Sequence, residues 1–285
     1  MKYLQLIRAK HYIKNLLIFL PLFFHGSLLD GERLLRTFFG FLVFCCVSSA
    51  VYIINDLRDL EKDRQHPVKS RRPLASGAVP PRQGILAAAL LLAAAAGLSL
   101  FALPLPALVF PLLYLAANIA YSFGLKDQPL MDVTILSSGF VFRILYGGAI
   151  GGIEISNWLF MTVLTMALFF SLGKRRNEIR MNIGRETRAV LKGYPVSFLD
   201  KGMYMCLTLG NVFYALWTMD AATEMRYRSF PMIYSFPIVL LITLRYCLLV
   251  ERESDGDPVE VILRDKTLLI LCAVYVAALF VSRYL

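Results

Sequence analysis

Asp56, Asp59 and Asp63 stand three and then four positions apart in "NDLRDLEKD", residues 55 to 63, directly after an apolar run. At about 100° per residue on a helix they fall near 0°, 300° and 340°, with Asn55 near 260°, so all four side chains share one face. Carboxylates gathered in this way repel one another unless cations hold them. Magnesium suits the set, because it takes hard oxygen ligands, keeps several waters and is often completed by phosphate oxygens of a substrate. Asn55, Asp56, Asp59 and Asp63 are therefore the candidate metal ligands, and a diphosphate or similar polyanion is the predicted third party. The competing reading is a solvated helix end whose acids are balanced by Arg58, Lys62 and Arg64.

The bases around this face are the next candidates. Between Tyr52 and Gly77 lie four carboxylates and seven basic groups, counting His66, and Arg58, Lys69 and Arg72 are candidate phosphate ligands among them. In "YSFGLKDQPLMD", residues 121 to 132, Tyr121 offers a hydroxyl and Lys126 a point charge for a phosphate oxygen. In "SLGKRRNEIR", residues 171 to 180, Lys174, Arg175 and Glu178 form a third cluster, and an Arg fork holds phosphate at two points. "RAKHYIKN", residues 8 to 15, brings Arg8, Lys10 and Lys14 to the point where the chain enters an apolar run. Each of these also has an ordinary reading, as boundary anchors, a basic cap or an interfacial helix snorkelling its charges. Arg143 in "SSGFVFRILYGG" is different, because an Arg in mid-span costs roughly 2.5 to 3.5 kcal/mol at a bilayer centre. It is expected to face a polar cavity and to bind substrate.

The elements that must hold these groups are membrane helices. The 285 residues are 58% hydrophobic, and their mean hydropathy is +0.61, more than a soluble domain of this size needs for its core. Nine apolar runs approach the length that crosses a bilayer. They lie at about 15–29 (starting near Lys10 and broken at Pro21), 34–54, 85–103, 105–122, 130–151, 157–173, 203–219, 231–250 and 267–284. Period-two alternation is absent, which excludes a barrel. The expected fold is an all-α polytopic membrane protein, a single transmembrane domain over 1–285. Met1–Phe24 resembles a signal peptide but lacks a small-x-small cleavage site, so it is read as retained.

Lys and Arg number 23 in the loops 1–14, 58–82, 126, 174–201 and 252–266, against 5 on the opposite side. The rule that cytoplasmic loops hold the excess puts the N-terminus and every charged cluster inside. The net charge of +10 then follows largely from topology beside anionic lipid, and no nucleic-acid partner is expected. Cys45, Cys46, Cys206, Cys247 and Cys272 lie in apolar spans without a CxxC pair and read as core residues. None of the three histidines is placed for a Ser or Cys triad, and His66 has no assigned role.

"NDLRDLEKD" resembles the NDxxDxxxD motif of the UbiA superfamily of intramembrane prenyltransferases, and "YSFGLK" resembles their YxxxLK element. The resemblance implies about nine transmembrane helices around a central cavity with its polar mouth at the cytoplasmic side. Members that attach prenyl groups to aromatic rings carry a second Asp-rich motif after the sixth helix, where this chain has the basic "GKRRNE". That departure, together with "RAKHYIKN", "HPVKSRRPLASG" and "SSGFVFR", is similar to the decaprenyl-phosphate phosphoribosyltransferase branch. Its members take 5-phosphoribosyl 1-diphosphate (PRPP) as donor and a polyprenyl phosphate as acceptor. The resemblance implies Mg2+ on the leaving diphosphate through Asn55, Asp56, Asp59 and Asp63. Asp56, Asp59 and Lys126 become the catalytic candidates, and the lipid head lies near Lys14, Tyr121 and Lys126.

An acceptor phosphate is already an anion, so no strong general base is required. Two rivals stay open: a prenyltransferase using a prenyl diphosphate and a quinone-type or aromatic acceptor, and a non-enzymatic lipid transporter or binding protein. Polyprenol length and oligomeric state are not fixed by the sequence, a homo-oligomer included.

Overall fold

The computed structural model describes residues 2–66, 68–181, 189–227, 231–251 and 258–284, and every regular element among them is helical. Arg185, Arg188, Arg228 and Arg252, counted above among the loop charges, lie outside the described residues. The chain divides into two compact units, Met1–Ile155 and Ser156–Leu285.

The first unit contains α1 (Lys2–Leu6), a 3-10 helix over Ala9–Phe19, α2 (Leu20–His25), α3 (Gly31–Arg58), α4 (Leu60–Gln65), α5 (Pro81–Ala102), α6 (Val109–Ser122) and α7 (Met131–Gly151). The second contains α8 (Asn157–Arg180), α9 (Val196–Thr218), α10 (Ala221–Arg226), α11 (Phe236–Glu251), α12 (Pro258–Arg264) and α13 (Lys266–Tyr284). Each of the nine apolar runs is helical. Seven helical segments among the described residues are long and apolar enough to cross a membrane on their own. The two that fall short are Ala9–His25, split between 3-10 and α geometry, and α9, which carries Asp200, Lys201 and Asn211. Continuous apolar helices satisfy their own backbone in lipid, and the chain is an integral membrane protein.

α3 organises the first unit. Asp30 caps its start, its Oδ1 accepting from the N–H groups of Glu32 and Arg33 at 3.1 and 3.2 Å. Its 28 residues give a length of about 42 Å at 1.5 Å per residue. This exceeds the ~30 Å hydrocarbon thickness, so its polar last turn can stand clear of the bilayer core. Val43, Phe44, Val47 and Val51 of α3 pack with Tyr114 of α6, Tyr146 and Ile150 of α7 and Ile18 of the 3-10 helix. α5 also packs on α3, while Ile85, Leu86, Leu90 and Phe101 on its outer face are exposed and suited to lipid tails.

The first apolar run departs from the expected α-helix. Ala9–Phe19 is eleven residues of 3-10 helix, whereas such runs seldom exceed three or four residues. The expected break at Pro21 appears as the passage into α2, with Pro21 in its first turn where no amide is needed. The segment packs closely on α7. A Cβ on Gly147 of α7 would lie 2.0 Å from the carbonyl oxygen of Ile18, so the two backbones meet where no side chain fits.

Candidate functional site

The acidic face forms at the junction of α3 and α4. Asp59 ends α3 with φ −93° and ψ 9°, and α4 resumes at Leu60. The amide of Asp59 donates to Asn55 O at 2.9 Å and that of Asp63 to Asp59 O at 2.8 Å. The helical register thus survives the kink.

Each acid is then met by a cation from elsewhere in the first unit. Asp56 Oδ1 accepts from Arg8 Nη2 at 2.5 Å and from Arg72 Nη1 at 2.9 Å. Arg72 Nη1 also reaches Asp63 Oδ2 at 2.5 Å, and Lys69 Nζ lies 4.0 Å from Asp63. Asp59 Oδ1 accepts from Lys126 Nζ at 2.5 Å. Asn55 Oδ1 accepts from Ser122 Oγ at 3.1 Å, joining the ends of α3 and α6. The expected face therefore divides: Asp56 and Asp63 share one guanidinium, while Asp59 turns to Lys126.

Local sequence explains how the bases arrive. After α4, His66 Nδ1 accepts from the N–H groups of Val68 and Lys69 at 3.1 and 3.3 Å, which sets the turn over Lys69–Arg71. That gives His66 a structural role. Pro73 keeps the preceding Arg72 extended, at ψ 146°, so it cannot continue the turn. Leu74 and Val79 then sink into a cluster with Leu6, Ala50, Ile53 and Ala88, anchoring the loop. Lys126 sits on a 3-10 turn that Gly124 makes possible, its φ of +135° being disfavoured for residues with a Cβ. Arg8 adopts a left-handed backbone, φ +52° and ψ +49°, which costs roughly 1 to 2 kcal/mol for a non-glycine residue. Its guanidinium lies 4.7 Å from the ring centroid of Tyr52, one turn before Asp56.

Arg143 is buried in α7. Its Nε donates to Asn15 Oδ1 at 2.8 Å and its Nη1 to Gly139 O at 2.6 Å. Its Cζ lies 4.7 Å from the Phe44 ring centroid and 5.0 Å from that of Tyr114. The buried Asn15 in turn donates to Cys45 Sγ at 3.2 Å and lies 3.4 Å from Ser48 Oγ. Arg143 thus ties the 3-10 segment to α7 through a polar knot between aromatic rings. Lys14 and Tyr121 are half-buried, the latter next to Ser122. Arg58 is exposed, with its guanidinium 5.0 Å from the Phe123 ring centroid.

In the second unit, Arg175 Nη1 donates to Glu178 Oε2 at 2.8 Å, and Lys174 beside it is half-buried. The neighbouring Arg176 is fully buried and bound by Asp200 of α9 and Glu251 of α11, with Nη2 at 2.5 Å from Glu251 Oε1. Asn177 Nδ2 donates to Val250 O at 3.2 Å. Arg176 and Asn177, two of the six residues of "GKRRNE", thus fasten α8 to α9 and α11, a role its basic sequence did not announce.

The chemistry of the donors fits a hard divalent cation: carboxylates and an amide oxygen, with Asp56 Oδ2 and Asp59 Oδ2 unused in bonding among the described residues. The described residues contain no three His, Cys, Asp or Glu side chains disposed to hold one metal ion by themselves. Magnesium tolerates so few protein ligands because water and phosphate fill the rest.

Comparison with known proteins extends over the whole chain. It is 33% identical over 288 residues to a decaprenyl-phosphate phosphoribosyltransferase of Corynebacterium glutamicum, covering 99% of this chain and 86% of that protein. It is 32% identical to a protein of the same name from Mycolicibacterium smegmatis, covering 99% and 92%. Among solved structures, a UbiA homologue from Archaeoglobus fulgidus bound to DMAPP and Mg2+ superposes with a TM-score of 0.71 at 22% identity, covering 99% of both chains. The model of the UbiA prenyltransferase family matches residues 17–264, and the chain belongs to that family.

Proposed function

We propose that the protein transfers the 5-phosphoribosyl group from PRPP to a polyprenyl phosphate of the decaprenyl type, releasing diphosphate in a Mg2+-dependent reaction. The observation that carries this reading is the full-length similarity, at 32 to 33% identity, to relatives named for that activity. The composition of the site supports it: one acidic face beside Arg8, Lys69, Arg72 and Lys126 suits a donor with a diphosphate at one end and a phosphate at the other. After α8 the acids of α9 and α11, Asp200 and Glu251, are engaged by Arg176. This fits poorly with a second metal cradle there.

Asn55, Asp56 and Asp59 would hold the metal, with Asp63 beside them. When bound, Mg2+ would supply Lewis-acid stabilisation of the charge that develops on the leaving diphosphate. Arg8, Arg72 and Lys69 orient the diphosphate and neutralise its remaining charge. Lys126 steadies Asp59 and offers its ammonium to a phosphate oxygen. An oxygen of the acceptor phosphate forms the bond to C1 of ribose as the bond from C1 to the diphosphate breaks. The acceptor is already anionic, and no protein group need remove a proton. Lys14 and Tyr121 are assigned to the lipid head, Lys174, Arg175 and Glu178 to phosphate recognition, and Arg58 to a peripheral phosphate contact. The whole chain acts as one transmembrane domain in the inner membrane, with its N-terminus and active site cytoplasmic, and supplies precursors of envelope arabinan.

The test uses purified protein in detergent with labelled PRPP, Mg2+ and polyprenyl phosphate, and in parallel a labelled prenyl diphosphate with aromatic acids. Label should pass into lipid from PRPP only when Mg2+ is present. Transfer from the prenyl diphosphate alone would assign the protein to the rival chemistry, and transfer from neither would remove both readings.

A further inference from the structure

The two most buried acids of the site are already occupied by cations belonging to the chain. Asp56 and Asp63 have side chains 4% exposed, whereas those of Arg8 and Arg72, which hold them, are 20% and 26% exposed. The carboxylates sit on short side chains close to the helices that bear them, while the guanidiniums reach in on long, partly exposed side chains. One oxygen, Asp56 Oδ1, serves both arginines, and one nitrogen, Arg72 Nη1, serves both acids. A divalent cation bound to Asp56 would lie within a few ångströms of two positive charges, in a place where little water screens them. Arg8 is moreover held in a left-handed backbone, and strain of that kind persists only where the surroundings over-determine it.

We propose that Arg8 and Arg72 are resident counter-ions that make the acidic face refuse a divalent cation at Asp56 alone and admit it only together with a diphosphate. The anion draws the guanidiniums off the carboxylates by charge-assisted bonds of its own, which leaves Asp56 able to hold the metal. Metal and donor then bind as one unit, and the acidic face never stands bare in the membrane interface. This rests on the metal-dependent reading of the site, but it concerns the order of binding rather than the group transferred.

The measurement is binding of Mn2+, a cation of similar ligand preference, to the detergent-solubilised full chain by electron paramagnetic resonance, with and without inorganic diphosphate. Wild-type protein should bind Mn2+ at least about tenfold more tightly with diphosphate present, a difference of ~1.4 kcal/mol. Arg8→Gln and Arg72→Gln should each tighten Mn2+ binding in the absence of diphosphate by about tenfold and shrink the diphosphate effect, since the competing charge is gone. Equal Mn2+ affinity with and without diphosphate in wild type overturns the proposal, whatever the variants do. So does unchanged or weaker diphosphate-free binding in variants that melt at the wild-type temperature. Neither probe is a ribosyl donor or a lipid, so failure here leaves the transfer assay standing, and failure of phosphoribosyl transfer leaves this result readable.

Discussion

The acids of the site differ in how much of the fold depends on them, and the difference makes their roles separable. Asp59 is partly exposed and holds a single ion pair with Lys126, the kind of contact worth about 1 kcal/mol or less. Asp59→Ala should therefore leave the melting temperature within a few degrees of wild type while lowering transfer by about a hundredfold or more, the scale seen when a group that stabilises transition-state charge is lost. Retained activity would take Asp59 out of the mechanism. Asp56 is buried beneath two guanidiniums. Asp56→Ala should cost activity and also roughly 3 kcal/mol of stability, because it strands buried positive charge, and a thermal melt alongside the assay separates the two cases. The sequence displayed these acids well, since their spacing is local and a helix preserves it. It could not display their partners: Arg8 is 48 and Lys126 is 67 positions away, and only the fold brings them in. Arg8 stood among several bases at a membrane boundary with nothing local to single it out.

Two short elements decide whether the bases stay in place. The turn after α4 hangs on His66, whose Nδ1 accepts two backbone N–H groups. His66→Ala leaves both donors without that acceptor, at about 1 to 3 kcal/mol for each that remains buried, and loosens the loop bearing Lys69 and Arg72. Donor KM should rise severalfold or more with a smaller change in kcat. His66→Asn, which can place an oxygen near the same amides, should recover part of the loss, and an equal loss in both variants would argue against the capping role. The 3-10 helix is the other element. Gly147→Ala would drive a methyl into the Ile18 carbonyl, a backbone contact that no rotamer change relieves. It should destabilise the protein by roughly 1 to 3 kcal/mol and weaken function by displacing Arg8 and Lys14, and normal melting with normal activity would refute that packing. Composition revealed the apolar run here but not its 3-10 winding, and the backbone contact of Ile18 with Gly147, 129 positions later in the chain, lies beyond any local pattern. "GKRRNE" was half legible for a related reason: its charge is plain from its composition, but Asp200 and Glu251, which claim Arg176, lie 24 and 75 positions further on.

At the scale of the molecule, the nine helical runs were legible because apolar length is a property of composition, and the UbiA fold followed once the motifs stood at their ends. Orientation is a separate matter, because a bundle of helices looks the same whichever way it faces the bilayer. The case for a cytoplasmic site is electrostatic, 23 Lys and Arg against 5, and α3 offers a direct test. Leu29 precedes its first turn and Ala78 lies beyond its last, in the loop that carries Arg72. Both residues are exposed, and about 42 Å of helix separates the two ends. Leu29→Cys should react with a membrane-impermeant maleimide on intact cells, whereas Ala78→Cys should react only after permeabilisation. Wild-type protein, whose five cysteines lie in apolar spans, serves as the blank. The reverse pattern would put the acidic face outside, away from cytoplasmic PRPP, and would overturn the proposed reaction in the cell even if the purified protein performed it. The labelling result thus decides whether the chemistry assigned to Asp56 and Asp59 has its donor on the right side of the membrane.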